Sequence, residues 1–173
     1  MIDVVSGSLA DFDAVMRLMD EAVAWLAAAG RPGQWGTEPL SGRQKSVDHM
    51  RKEVADNDLW LARINGEVVG AMLLGDHPRY YINPVAEPEI YLHLLVASRR
   101  HIGAGIGRAL VVKAIALAME EGIGLIQVDC YAGDDRKLVT AYERLGFTPT
   151  TAFKVENWPG QLLELRLTDL APD

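Results

Sequence analysis

The stretch RRHIGAGIGRAL, Arg99 to Leu110, lies between an apolar run and a long apolar helical segment. Glycines at 103, 105 and 107 stand where a strand turns into that helix. Glycine there permits unusual backbone angles, and a helix start carries N–H donors without partners. Such a turn suits an anion, a phosphate above all. Neither of two common phosphate signatures fits. A Walker loop needs Lys-Ser or Lys-Thr after its last glycine, and this chain has Arg108-Ala109. A dinucleotide fingerprint starting at Gly103 needs glycine at Arg108, and one starting at Gly105 needs glycine at Leu110. A purely steric reading stays open, in which the glycines only allow a tight turn and close helix packing.

A length of 173 residues suits one domain, 1–173, around one core. The formal net charge of −7 speaks against nucleic acid, whose backbone rewards Lys and Arg, so an anion here must be held by local geometry. Cys130 is the only cysteine, which excludes an internal disulfide and makes a reducing compartment the default. The acidic start MIDVVSGSLADFD does not read as a signal peptide, and no apolar run approaches the ~20 residues that span a bilayer. A soluble cytoplasmic protein without a membrane partner is the expectation.

Ile2–Ser6 reads as a strand, and Ser8 with Asp11 as a capping box opening a helix. Phe12, Val15, Met16, Met19, Ala22, Val23 and Leu26 recur on one face of that helix, which stops at Gly30. A loop holding Trp35 follows, then a helix over Gln44–Ala55. Leu59–Ile64 and Glu67–Leu74 form a hairpin around Asn65-Gly66, since both residues tolerate positive φ. GDHPRYYINPVAEPE is a loop that edges or lines a pocket. The rest reads as a strand at Glu89–Ala97, a helix at Gly105–Glu121 and a strand at Leu125–Tyr131. A helix at Arg136–Leu145 and strands at Pro149–Val155 and Gln161–Leu167 follow. The helix from Gly105, apolar on most faces, belongs in the middle of the fold. The class is α/β.

From Leu92 to Phe147 the chain resembles the GCN5-related N-acetyltransferase (GNAT) superfamily, through LHLLVASRRHIGAGIGRALV, LIQVDCYAG and LVTAYERLGF in that order. It is most similar to small single-domain members of actinobacterial type. The resemblance implies a mixed, mostly antiparallel sheet of about six to seven strands flanked by about four helices. It also implies acetyl-coenzyme A as co-substrate and direct acyl transfer, without a metal. Ile102 departs from the Arg or Gln usual in the family turn; a grip by backbone N–H groups survives that change. The pyrophosphate is then expected on Ile102, Gly103, Ala104, Gly105, Ile106, Gly107 and Arg108, with Arg99 and Arg100 supplying charge. Main-chain groups of Leu95, Val96 and Ala97 would hold the pantetheine arm, Leu95 or Val96 providing the oxyanion donor. Asp135 stands where relatives often have an asparagine near the coenzyme; a solvated helix-start acid is the alternative.

Acyl transfer to an amine needs a neutral nucleophile, a donor for the oxyanion and a proton for the leaving thiolate. Tyr142, in AYERLGF, matches the family's general acid, and a phenol of pKa ~10 can donate to a thiolate of pKa ~8.5. Its helical spacing also fits packing beside Leu138 and Leu145. His93 is the candidate base, sharing a strand face with Leu95 and Ala97. A half-buried histidine bonded to a carbonyl is the other reading, and Glu89 acting through water is the other base. Cys130 reads as a small buried residue. His49, His77 and His101 lack metal-ligand spacing.

The acceptor is expected to be a small, partly apolar primary amine in a pocket including Trp35, Tyr80 and Tyr81, with Trp25 and Trp158 as further aromatics; the acidic balance mildly favours a cation, and aminoglycosides, polyamines, amino acids and protein N-termini all stay open. The oligomeric state stays open between monomer and homodimer. Two other readings remain: a non-catalytic acyl-coenzyme A-binding sensor or subunit, and a nucleotide-binding regulatory domain.

Overall fold

A computed structural model describes residues 1–170. Strand β1 (Asp3–Ser6) leads into the capping box: the Ser8 hydroxyl accepts from Ala10 N–H at 3.2 Å, and Ser8 N–H donates to the Asp11 carboxylate at 3.0 Å. The box caps a short 3-10 turn, Leu9–Asp11, from which α1 (Phe12–Ala28) continues. All seven residues of the expected stripe are buried, and Leu18 joins them. Helix α2 (Gln44–Asp56) follows, then the hairpin of β2 (Asp58–Ile64) and β3 (Glu67–Gly75). Asn65 and Gly66 both have positive φ, +50° and +81°, as a tight hairpin turn requires.

The chain divides into two compact units, one of residues 1–74 and 94–110, the other of 75–93 and 111–173. In the first, β1 pairs antiparallel with β2 and β2 with β3. Its core joins Val15, Leu18, Met19 and Val23 of α1, Met50 and Val54 of α2, Leu59, Leu61 and Leu73 of the hairpin, and Leu94 and Val96.

Strand β4 (Ile90–Ala97) contributes to both units. After it come α3 (Ile106–Glu121), β5 (Leu125–Tyr131), α4 (Lys137–Arg144), β6 (Thr148–Val155) and β7 (Trp158–Arg166). In the second unit β4 and β5 pair in parallel, while β5–β7 and β6–β7 are antiparallel. A parallel pair needs a long crossover, here through α3. Among the described residues seven strands follow the order β1-β2-β3-β4-β5-β7-β6, with four α-helices.

One expectation needs correction. Helix α3 is not enclosed on all faces: Val112 and Met119 are 55% and 68% exposed, while Leu110, Ala114 and Ala118 are buried. An apolar sequence could not separate these two faces, because both carry apolar residues.

Gly70 of β3 sets how α3 begins. A Cβ there would lie 2.5 Å from Ile106 Cγ2, 3.2 Å from Leu110 Cδ1 and 3.3 Å from Ala62 Cβ. Gly70→Ala therefore overpacks the start of α3 and is expected to cost about 1–3 kcal/mol in denaturant unfolding. A change below ~0.5 kcal/mol, the range of neutral surface substitutions, would contradict this packing.

Candidate active site

In the turn ahead of α3, Gly103 and Gly105 have φ of +84° and +80°, a region L side chains rarely adopt. Built Cβ atoms at Gly103, Gly105 and Gly107 meet nothing within 4 Å, so the turn is open rather than packed. Ala104 N–H donates to His101 C=O at 3.1 Å, and Ala109 N–H makes the first helical bond, to Gly105 C=O at 3.0 Å. The amides of Ile106, Gly107 and Arg108 fall before that bond and have no intrahelical acceptor. Ile102 is 68% exposed, so its side chain does not plug the turn.

Of the three arginines, two are committed elsewhere. Arg99 lies over the Trp25 ring, 4.2 Å from its centroid, with Arg31 also on that ring at 4.8 Å. Burial and the nearby Arg31 charge lower the Arg99 pKa, while Glu21 opposes them. The Arg100 guanidinium is paired with Glu67. Arg108, exposed in the first turn of α3, carries the remaining charge.

In the second unit, the parallel ladder holds three pairs, Ile90↔Ile126, Tyr91↔Gln127 and Leu92↔Val128. Beyond Leu92, the His93 carbonyl accepts from Arg79 Nη2 at 2.9 Å. Alternation puts Glu89, Tyr91 and His93 on one sheet face, and register adds Gln127 and Asp129. Asp129 accepts from Tyr91 OH at 2.5 Å and Tyr81 OH at 3.0 Å, tying the loop before β4 to β5. Burial first, then the Asp129 charge, raises both tyrosine pKa values far above the ordinary range. His93 is half-buried, as are Leu95 and Ala97, while Leu94 and Val96 are buried. Its Nε2 lies 3.1 Å from the His77 carbonyl, and its ring faces Tyr91 at 5.0 Å between centroids. A neutral imidazole that donates from Nε2 carries its lone pair on Nδ1. Glu89 is only 5% exposed, and its Oε2 has no hydrogen-bond partner. Burial, then the charge of Glu87, raises its pKa, with His77 opposing.

Tyr142 is buried on the inner face of α4 with Val139, its ring edge-to-face with Phe147 at 5.7 Å. Leu138 and Leu145 are only half-buried. Burial, followed by Cys130 and Asp129, raises the phenol pKa far above 10, so it stays protonated. Its hydroxyl makes no hydrogen bond among the described residues. Cys130 is buried, and its thiol is pushed up to about 12, mainly by burial. Asp135 is exposed and lies within Asp134–Arg136, three consecutive residues at φ +55° to +60° that open α4. Non-glycine residues so held cost about 1–3 kcal/mol each and concentrate at functional sites.

The expected pocket aromatics have the following surroundings, each within its own unit. Trp35 packs against the core of the first unit, and Trp25 is covered by two arginines. Tyr81 is fixed to Asp129, Tyr80 is 92% exposed, and Trp158 stacks on Tyr131 at 5.5 Å. Sequence reading missed Arg79 and Asp129. An acid inside the apolar strand LIQVDCY was a visible signal for Asp129; Arg79 had none beyond its loop. Among the described residues no group of three or more His, Cys, Asp or Glu could hold a metal ion, and no helix is long and apolar enough to cross a membrane.

The Acetyltransferase (GNAT) family pattern matches residues 21–147, and the chain belongs to that family. It is an acetyl-coenzyme A-dependent acetyltransferase. A GNAT-family acetyltransferase from Listeria monocytogenes is 21% identical, with TM-score 0.71 over 95% of this chain and 94% of that one. YncA from Salmonella typhimurium, solved with its cofactor acetyl-CoA, is 18% identical, with TM-score 0.62 over 99% and 98%. PaiA N-acetyltransferase from Thermoplasma acidophilum, in complex with coenzyme A, is 16% identical, with TM-score 0.69 over 96% and 99%. No curated protein matches the chain by sequence.

The raised Glu89 pKa has a consequence for stability. A carboxyl that holds its proton more tightly when folded makes stability fall as pH rises from the unfolded value, 4.5, through the folded one. Glu89→Gln removes that loss. The variant is expected to gain on wild type as pH rises above 4.5, with the gap constant at lower pH. Urea unfolding across pH checks this, and a gap independent of pH would refute it.

Proposed function

We propose that the chain, acting as a single N-acetyltransferase domain over 1–173, moves an acetyl group from acetyl-coenzyme A directly to the primary amine of a small cationic molecule in the cytoplasm. The observation that carries the coenzyme assignment is the open turn, whose two positive-φ glycines precede unbonded α3 amides. Ile102 to Arg108 would hold the pyrophosphate, with Arg108 as the nearby cation. Backbone groups of Leu95, Val96 and Ala97 would receive the pantetheine arm, and Asp135 would lie by the coenzyme. When bound, acetyl-coenzyme A supplies an activated thioester.

His93 accepts a proton from the amine, its Nε2 lying 3.1 Å from the His77 carbonyl. Glu89 is the alternative base through water. Tyr142 donates to the departing sulfur. Burial keeps the phenol protonated in the resting state, and the proton passes to sulfur as the C–S bond breaks. The acidic face of Glu89 and Asp129 supports a cationic acceptor. Tyr80 and Tyr81 remain candidates for contact with it.

The test is thiol release from acetyl-coenzyme A over a panel of small amines, with coenzyme affinity measured by calorimetry. Turnover with at least one amine is expected. Tight coenzyme binding without turnover on any amine would favour the sensor reading, and no coenzyme binding would remove both. With an active amine, Tyr142→Phe is expected to lower kcat about 10²-fold with coenzyme affinity within about twofold. Unchanged kcat would reject Tyr142 as the acid. His93→Gln is expected to abolish the acidic limb of the kcat/KM pH profile; an unaltered profile would reject His93 as the base.

A further inference from the structure

Just ahead of the glycine turn, one carboxylate gathers three donors. Glu21 Oε1, on α1, accepts from the Ser98 hydroxyl at 2.9 Å, from Arg99 N–H at 2.6 Å and from Arg100 N–H at 3.2 Å. Ser98 is itself 2% exposed, and its N–H donates to Val69 C=O at 2.7 Å. Its hydroxyl also accepts from Arg100 N–H at 3.3 Å. The segment is pinned further by Arg99 on Trp25 and by Arg100 on Glu67. Four residues on, the turn has open space at every glycine. The contrast is between a fixed base and an open rim.

We infer that Glu21 is a positioning residue for the coenzyme: its carboxylate fixes Ser98–Arg100 so that the amides of the following turn converge on the pyrophosphate. This rests on the coenzyme reading above. A negative charge close to a diphosphate site opposes binding unless other groups neutralise it. Glu67 is paired with Arg100, and the charge of Arg99 offsets that of Glu21, so the four charges sum to zero. Desolvation pushes the Glu21 pKa up, but the bonds from Ser98, Arg99 and Arg100 outweigh it and hold the carboxyl ionised. A glutamate here is thus a frame for the donors rather than a ligand.

Glu21→Ala tests this through two ligands. Coenzyme A carries the pyrophosphate, and pantetheine lacks it; binding of each is followed by ligand-observed NMR titration. The variant is expected to bind coenzyme A about tenfold more weakly and pantetheine as wild type does. Equal coenzyme A affinity would overturn the inference. Parallel losses for both ligands would also overturn it, since the residue would then support the fold in general. If Glu21→Ala does not fold, Glu21→Gln decides: it keeps one acceptor oxygen without the charge and is expected to lose about threefold for coenzyme A alone. An unchanged Glu21→Gln affinity then overturns the inference. Failure of wild type to bind coenzyme A would instead remove the coenzyme reading, and the role of Glu21 with it.

Discussion

Peptide N–H groups that a helix cannot satisfy are the constraint around which the first unit is built. Helix α3 begins with amides at Ile106, Gly107 and Arg108 that lack a carbonyl one turn back. Of these three residues Ile106 is buried, Gly107 is half-buried and Arg108 is exposed. The chain brings the backbone in through two left-handed glycines and leaves the space around them clear. Gly70 of β3 serves the same end by letting the first turn of α3 lie close against the sheet. A strand, a turn and a helix start thus act as one donor array. Their side chains matter mainly where they are absent.

This is why charge and ligand part company in the motif. RRHIGAGIGR looks like a basic cradle, yet the Arg100 guanidinium is paired with Glu67 and the Arg99 guanidinium lies over Trp25. A chain with a net charge of −7 can still present an anion site, because oriented backbone dipoles need no net charge. The exposed Ile102, in place of a polar residue, is compatible with that arrangement for the same reason.

Legibility followed the distance over which each feature is determined. The Ser8–Asp11 box, the α1 stripe and the Asn65-Gly66 hairpin depend on residues within a few positions, and each formed as their chemistry dictates. Features joined across the chain left no local trace. Glu21 reads as an ordinary polar helix residue until Ser98 arrives, 77 positions away. The bond from the Tyr81 hydroxyl to Asp129, 48 positions away, has no signal near Tyr81 in the sequence. Trp35 sits in a polar loop but packs on a core made by other elements. The exposed side of α3 was hidden for a different reason: Val112 and Met119 are as apolar as the buried residues beside them.

Proton balance ties the proposed residues of the second unit together. An ammonium that becomes an amide loses two protons, and a thiolate that becomes a thiol takes back one. One proton per turnover must therefore reach solvent. The base needs a route outward, and the acid needs only to be refilled within the cycle. His93 is half-buried, its Nε2 lies 3.1 Å from the His77 carbonyl, and the His77 side chain is exposed beside Asp76, so the imidazole edge at Nε2 is the one directed to the exposed His77 segment. Tyr142 is buried, with its pKa raised by that burial, so it does not exchange its charge with bulk water in the resting state. The two environments differ in the direction the proposed roles would require: the candidate base is half-buried, and the candidate acid is buried and protonated.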